Sequence, residues 1–145
     1  MKPVLVVDAS VSVKWFLSAP PGEASAAAAL ALLEAYSEDR FSLYQPPVWR
    51  SEVLGVLCRL APLSASRYAQ GLLSFDYRLA DADAVYLKAI ELSIQLDHHL
   101  FDTIYHAAAL LHPQATFVTA DEKYRAKGER LGRILPLVSW KDALW

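Results

Sequence analysis

The stretch Val4–Ser10, VLVVDAS, decides the fold. Val4–Val7 is wholly apolar, mostly β-branched, and follows Pro3. A run this short, with no polar alternation, predicts a strand buried on both faces, as in parallel sheets. Asp8 follows at once, and Ser10 is placed to cap a helix over Val11–Leu17. A second stretch, Thr116–Asp121, repeats the plan: TFVT reads as a short apolar strand, with Asp121 just beyond it. In open α/β sheets, sites lie past the carboxyl ends of the strands, and both aspartates sit there.

Working outward, Pro20-Pro21-Gly22 is expected to stop the first helix, and an alanine- and leucine-rich helix runs from about Glu23 to Ser37. Phe41–Tyr44 is a second strand, ended by Pro46-Pro47. The middle of the chain reads as four helices: Val48–Leu60; one capped by Ser64 and ending near Leu73; one capped by Asp81 over Ala82–Leu96; and Asp102–Leu111, ending at Pro113. Phe75–Ala80 is ambiguous. A basic helix covers Glu122–Leu131, ended by Gly132. Ile134–Val138 reads as an edge strand, because Pro136 cannot donate to a ladder. The order β-α-α-β, four helices, β-α-β predicts one domain over residues 1–145: an α/β sandwich around a parallel sheet, with a helical insertion in mid-chain.

Composition narrows the class. A chain of 145 residues buries enough surface to need no staples. Hydrophobic residues make up 54%, rich enough to suggest a face covered by a dimer mate or another partner. The net charge of -2 does not advertise nucleic-acid binding, though a local basic patch can coexist with an acidic site. Cys58, the one cysteine, permits no intrachain disulfide, fits a reducing cytoplasm, and reads as a small core residue between Leu57 and Leu60. The apolar N-terminus is broken by Asp8 and Lys14, unlike a signal peptide, and no run is long enough to span a membrane.

Four acids carry the chemistry: Asp8, Glu52, Asp102 and Asp121. Each aspartate has an ordinary reading as a helix cap or turn residue. Glu52 resists one. It lies mid-helix in VWRSEVLGVL, and its neighbours three and four residues away, Val48, Trp49, Gly55 and Val56, carry no charge. An unpaired carboxylate facing a core costs several kcal/mol. Snorkelling to Arg50 or Arg59 is the ordinary alternative. Carboxylates packed together raise one another's pKa, and a hard divalent cation, Mg²⁺ or Mn²⁺, offsets that with all-oxygen coordination. Such a centre activates water and stabilises charge on a reacting phosphodiester.

At VVDAS, PPVWRSEVLGVL, FDTIYHAAAL and FVTADEKY the chain resembles the PIN-domain ribonucleases, in particular the toxins of VapBC-type toxin–antitoxin pairs. The resemblance implies a three-layer α/β/α sandwich with four to five short parallel strands. It also implies a Mg²⁺- or Mn²⁺-dependent endoribonuclease cutting structured RNA, an antitoxin that blocks the acidic cleft, and a homodimer. Carried over by residue, Asp8, Glu52, Asp102 and Asp121 match the acidic quartet that holds metal, and Thr119 matches a polar position before the last aspartate. Where relatives often carry asparagine three residues after the glutamate, this chain has Gly55, which leaves space and offers no hydrogen bond.

Five of the 14 basic residues, Lys123, Arg125, Lys127, Arg130 and Arg133, crowd beside Asp121. Lys123, Arg125, Lys127 and Lys14 are candidate RNA phosphate contacts, against the plainer reading of solvated surface. His98, Asp102 and His106 share a row at spacing four, but no cysteine pair or HExxH pattern supports zinc. The four tryptophans read as core or interface. Two other classes compete with a nuclease. A phospho-receiver module needs regular βα repeats, which the mid-chain lacks, and an inactive PIN-like binding module would not need all four acids.

Overall fold

A computed structural model describes residues 2–17 and 23–145; the helix stop at Pro20-Pro21-Gly22 lies outside the described residues. Strand β1 is Val4–Val7, and α1, Ala9–Ser12, follows it and runs on as a tighter turn over Val13–Trp15. Then come α2 (Ala24–Ser37), β2 (Ser42–Gln45), α3 (Val48–Leu60), α4 (Ala65–Leu73) and β3 (Arg78–Leu79). The chain continues through α5 (Asp83–Leu96), α6 (Leu100–Leu111), β4 (Ala115–Thr119), α7 (Glu122–Gly128), β5 (Ile134–Pro136) and α8 (Trp140–Leu144).

The five strands form one all-parallel sheet in the order β3-β2-β1-β4-β5. Leu5, Val6 and Val7 are each fully buried, so both faces of β1 are covered, as its unbroken apolar run demands. Helix α6 packs across β1, β4 and β2, α5 packs on α6, and α7 packs on β5. The chain builds β2 and β3 on one side of β1, then crosses to build β4 and β5 on the other. The switch point therefore falls between β1 and β4, where a crevice opens.

Several sequence expectations are corrected in detail. Phe75–Ala80 yields a two-residue strand, too short for any periodicity to reveal. Ser10 lies inside α1, and Asp8 takes the N-cap position. Helix α6 begins at Leu100, so Asp102 sits in its first turn and does not cap it. Cys58 is exposed, because the buried row of α3 is Trp49, Val53 and Leu57, and the next residue turns away from it. Three tryptophans are core residues whose indole N–H groups are satisfied: Trp15 donates to the Ala29 carbonyl (3.0 Å), Trp49 to Ser12 Oγ (2.9 Å) and Trp140 to the Ala28 carbonyl (3.0 Å).

One buried side chain substitutes for a ladder. Paired residues between β1 and β2 end at Leu5 and Leu43. Beyond them the amide of fully buried Gln45 accepts from Val7 N–H (2.7 Å) and donates to the Val7 carbonyl (2.9 Å). It thereby holds the strand end that delivers Asp8.

Candidate active site

The register of β1 on β4 pairs Val7 with Val118, and Asp8 N–H extends the ladder to the Val118 carbonyl (3.0 Å). Asp8 and Thr119 therefore emerge side by side. The Thr119 hydroxyl donates to Asp8 Oδ2 (2.7 Å), as does the Ser10 hydroxyl (2.8 Å). Thr119 Oγ1 in turn accepts from Asp121 N–H (3.0 Å), and Ser10 Oγ accepts from Ala120 N–H (3.2 Å). Asp121 caps α7, its Oδ1 accepting from Tyr124 N–H (3.1 Å). The ordinary and functional readings of Asp121 thus coexist in one side chain.

Helix α3 faces this strand end across a cleft of about 420 Å³, lined by Asp8, Glu52, Asp102 and Asp121 together with residues of α1 and α3. All four acids singled out from the sequence converge here. Glu52 stands on the shoulder of the buried row of α3, half-exposed, and its partner comes from α6: the Tyr105 hydroxyl donates to Glu52 Oε1 (2.6 Å). Neither arginine pairs with it. Arg50 lies over the Tyr77 ring, and Arg59, two turns further along the same face of α3, lines the cleft without a partner among the described residues.

Asp102 is clamped from the loop before α6. His98 Nδ1 lies 3.3 Å from the Lys127 ammonium, which can only donate, so the proton sits on Nε2 and is donated to Asp102 Oδ2 (2.6 Å). His99 Nε2 approaches the same oxygen at 3.0 Å. Among the described residues, His98, His99 and Asp102 also place donor atoms close enough to share a metal. The Lys127 contact sets His98 as a hydrogen-bond donor, however, and a metal ligand must present a lone pair. The row His98–Asp102–His106 breaks up, because His106 turns into the core, between the Tyr124 hydroxyl (2.8 Å) and the Gly132 carbonyl (2.8 Å).

The electrostatics follow from this burial. Asp8, only 7% exposed, is pushed up to about 6, chiefly by desolvation; the Thr119 and Ser10 hydrogen bonds pull it down, and Asp102 and Asp121 push it up again. Glu52 is pushed up to about 7 by desolvation first, against the Tyr105 hydrogen bond, with Asp8 and Asp102 adding repulsion. Burial holds the Tyr105 phenol far above its ordinary range, so it remains a donor.

A pattern unites the four acids. Among the described residues, each has one oxygen fixed by the protein — Asp8 Oδ2, Glu52 Oε1, Asp102 Oδ2, Asp121 Oδ1 — and a second that takes no protein hydrogen bond. Four oriented carboxylates with spare hard oxygen donors and no cation paired to them inside the cleft fit Mg²⁺ or Mn²⁺.

The sequence reading missed Ser10, Tyr105, His98 and His99 as supports of the quartet. Tyr105, three residues after Asp102 on one helix, carried a findable signal. The predicted phosphate contacts lie outside the cleft lining. Lys14 pairs with Glu23 (3.5 Å), Arg125 with Glu122 (2.8 Å) and Glu129 (3.2 Å), and Lys127 donates to the Asp97 carbonyl (2.8 Å), while Lys123 is exposed.

Fold and site together define a parallel α/β domain with a carboxylate cleft at its switch point, the architecture of a nuclease-type protein. Residues 5–130, most of the chain, match the PIN domain profile, and the chain belongs to the PIN domain family. Members of this family are generally nucleases and typically depend on a divalent metal. No curated protein matches the chain significantly. Among the described residues, no helix is long and apolar enough to cross a membrane.

Proposed function

We propose that the chain is a Mg²⁺- or Mn²⁺-dependent endoribonuclease that hydrolyses RNA phosphodiester bonds. The observation that carries this reading is the pattern of half-satisfied carboxylates: four side chains from β1, α3, α6 and the β4–α7 turn, each pinned at one oxygen and spare at the other. Asp8, Asp102 and Asp121 would hold the cation, with Glu52 joining directly or through water. When bound, the cation supplies acidified water and neutralises charge developing on the phosphodiester.

The chain's own residues do the rest. Thr119 and Ser10 fix the Asp8 carboxylate, and His98 fixes Asp102, so neither has to reorganise when substrate arrives. Glu52, with a proton affinity near neutrality, is matched to accept a proton from water and release it at physiological pH. Tyr105 holds it against the core wall while its other oxygen stays free.

The biological setting proposed is a cytoplasmic type II toxin restrained by an antitoxin and acting as a homodimer. The outer face of α5 supports a protein partner, since Leu87 (67% exposed), Ile94 (78%) and Ile90 (46%) line it uncovered. The test is cleavage of an RNA pool by the purified protein with Mn²⁺, with EDTA, and with Asp8→Asn or Asp102→Asn. Metal-dependent cleavage lost in both variants, with melting retained, is the expected result. Cleavage at the wild-type rate in both, from preparations free of contaminating nuclease, overturns the assignment. For the toxin role, growth arrest on induced expression, relieved by the product of an adjacent reading frame, is the corresponding observation.

A further inference from the structure

Among the described residues, the cleft has one basic side chain in its lining, and it stands in an unusual position. Arg59 shares its pocket with four carboxylates, yet among the described residues it makes no hydrogen bond or ion pair. It lies seven residues after Glu52, about 10 Å further along α3. Gly55 and Val56 occupy the turn between them, so Glu52, Gly55, Val56 and Arg59 form one continuous face of the helix, all lining the cleft. A Cβ built on Gly55 meets nothing within 4 Å, so the glycine serves no packing purpose, and its place in mid-helix costs stability relative to alanine. Opposite this face, Val13 gives the groove an apolar wall. The basic residues of α7 do not supply an equivalent charge to the cleft, being engaged elsewhere or outside its lining.

An acidic cleft repels the polyanion it would cut. Divalent metal at the carboxylates serves the reacting phosphodiester, but the flanking phosphate still needs a counter-charge beyond the ring of acids. We propose that Gly55, Val56, Val13 and Arg59 form a nucleotide subsite, in which the sugar and base of the residue beside the scissile bond pass over Gly55 and its outer phosphate is held by the Arg59 guanidinium. This rests on the nuclease reading above and adds the track by which the strand leaves the carboxylates. A cleft of about 420 Å³ accommodates one nucleotide-sized group beside the carboxylates. The guanidinium, planar and permanently charged, suits a phosphate's bidentate geometry.

Two variants test it. Arg59→Gln removes the charge at an exposed position. Gly55→Leu fills the track, and its Cβ enters open space, with no other atom within 4 Å. With a single-stranded oligoribonucleotide and Mn²⁺, Arg59→Gln raises KM about tenfold with kcat nearly unchanged, since one charge-assisted contact is lost. It also flattens the plot of log affinity against log salt by about 0.7, the value for one phosphate contact to a single strand. Arg59→Lys restores most of that slope. Gly55→Leu raises KM at least as far while melting at or above the wild-type temperature, and both variants keep the wild-type thermal shift with Mn²⁺. The same affinities and salt slopes are read by fluorescence anisotropy in the cleavage-dead Asp8→Asn background. If the wild type binds RNA and Arg59→Gln keeps its affinity and slope, or Gly55→Leu binds as the wild type does, the subsite is wrong and the nuclease reading stands. If the wild type neither cleaves nor binds RNA, the nuclease reading falls and takes the subsite with it.

Discussion

Asp8→Asn should stabilise the metal-free protein, and by an amount the structure sets. Asp8 is almost wholly buried, with a carboxyl pushed from 3.8 to about 6, mainly by desolvation. A raised carboxylate favours the protonated folded state. The penalty is absent below the unfolded pKa, grows as pH rises toward 6, and is complete above about 7. At full size, the rise from 3.8 to about 6 corresponds to about 3 kcal/mol. Asparagine keeps an oxygen for the Thr119 and Ser10 hydroxyls and removes the charge. At about pH 8 in EDTA the variant should gain about 2–3 kcal/mol, seen as a melting temperature higher by about 5–10 °C. At about pH 4.5, where wild-type Asp8 is itself mostly protonated in the fold, the gain shrinks to about 1 kcal/mol. Saturating Mn²⁺ reverses the order, because only the wild type keeps the full ligand set. The assay is differential scanning calorimetry at both pH values, with and without metal. A variant that melts at or below the wild type at pH 8, or whose advantage is the same at pH 4.5, refutes the claim that a desolvated charge sits at this position.

Other outcomes follow from the supports of the quartet. Tyr105→Phe strips Glu52 of its donor; allowing for the half-exposed carboxylate, this costs about 1 kcal/mol in thermal melts at pH 8, and it moves the Glu52 pKa further above about 7 in a carboxyl NMR titration. His98→Ala leaves Asp102 with the His99 contact alone and loosens it, weakening Mn²⁺ binding about tenfold by calorimetry, and His98→Gln, which retains an N–H donor, recovers part of it; equal affinities would show that the clamp is idle. Protons and metal compete for Asp8 and Glu52, so Mn²⁺ affinity should climb from about pH 5.5 to about pH 8 and then level off, whereas a flat profile contradicts the raised carboxylates.

The quartet was legible because each acid broke a local rule or ended a strand: Asp8 and Asp121 beyond apolar runs, Glu52 on a face without a counter-charge. What answered Glu52 carried a fainter signal, its place one turn after Asp102 on the same helix. Tyr105 lies 53 residues away, and a tyrosine in an apolar helix reads as core until its hydroxyl is seen to need a partner. Gln45 was hidden for a similar reason, since a polar residue at a strand end looks like the start of a turn. Cys58 was misjudged on angle alone. Helical rotation carries Cys58 off the Leu57 row and brings Arg59 back, two turns on, to the face of Glu52. The two-residue β3 has too few residues for any pattern, and it forms because Ala80 N–H finds the Gln45 carbonyl (2.8 Å).

Gln45 has a consequence of its own. Glu52 hangs from β2 through the Pro46-Pro47 turn, whereas Asp8 hangs from β1, so the spacing of these two acids is gauged by whatever couples the strand tips. That coupler is one neutral amide, clasping both polar groups of Val7. Shortening it to alanine would unfasten the seam locally, speed deuterium uptake at the Val7 amide, and let the jaw carrying Glu52 drift from its counterpart while the remainder of the sheet stays knit.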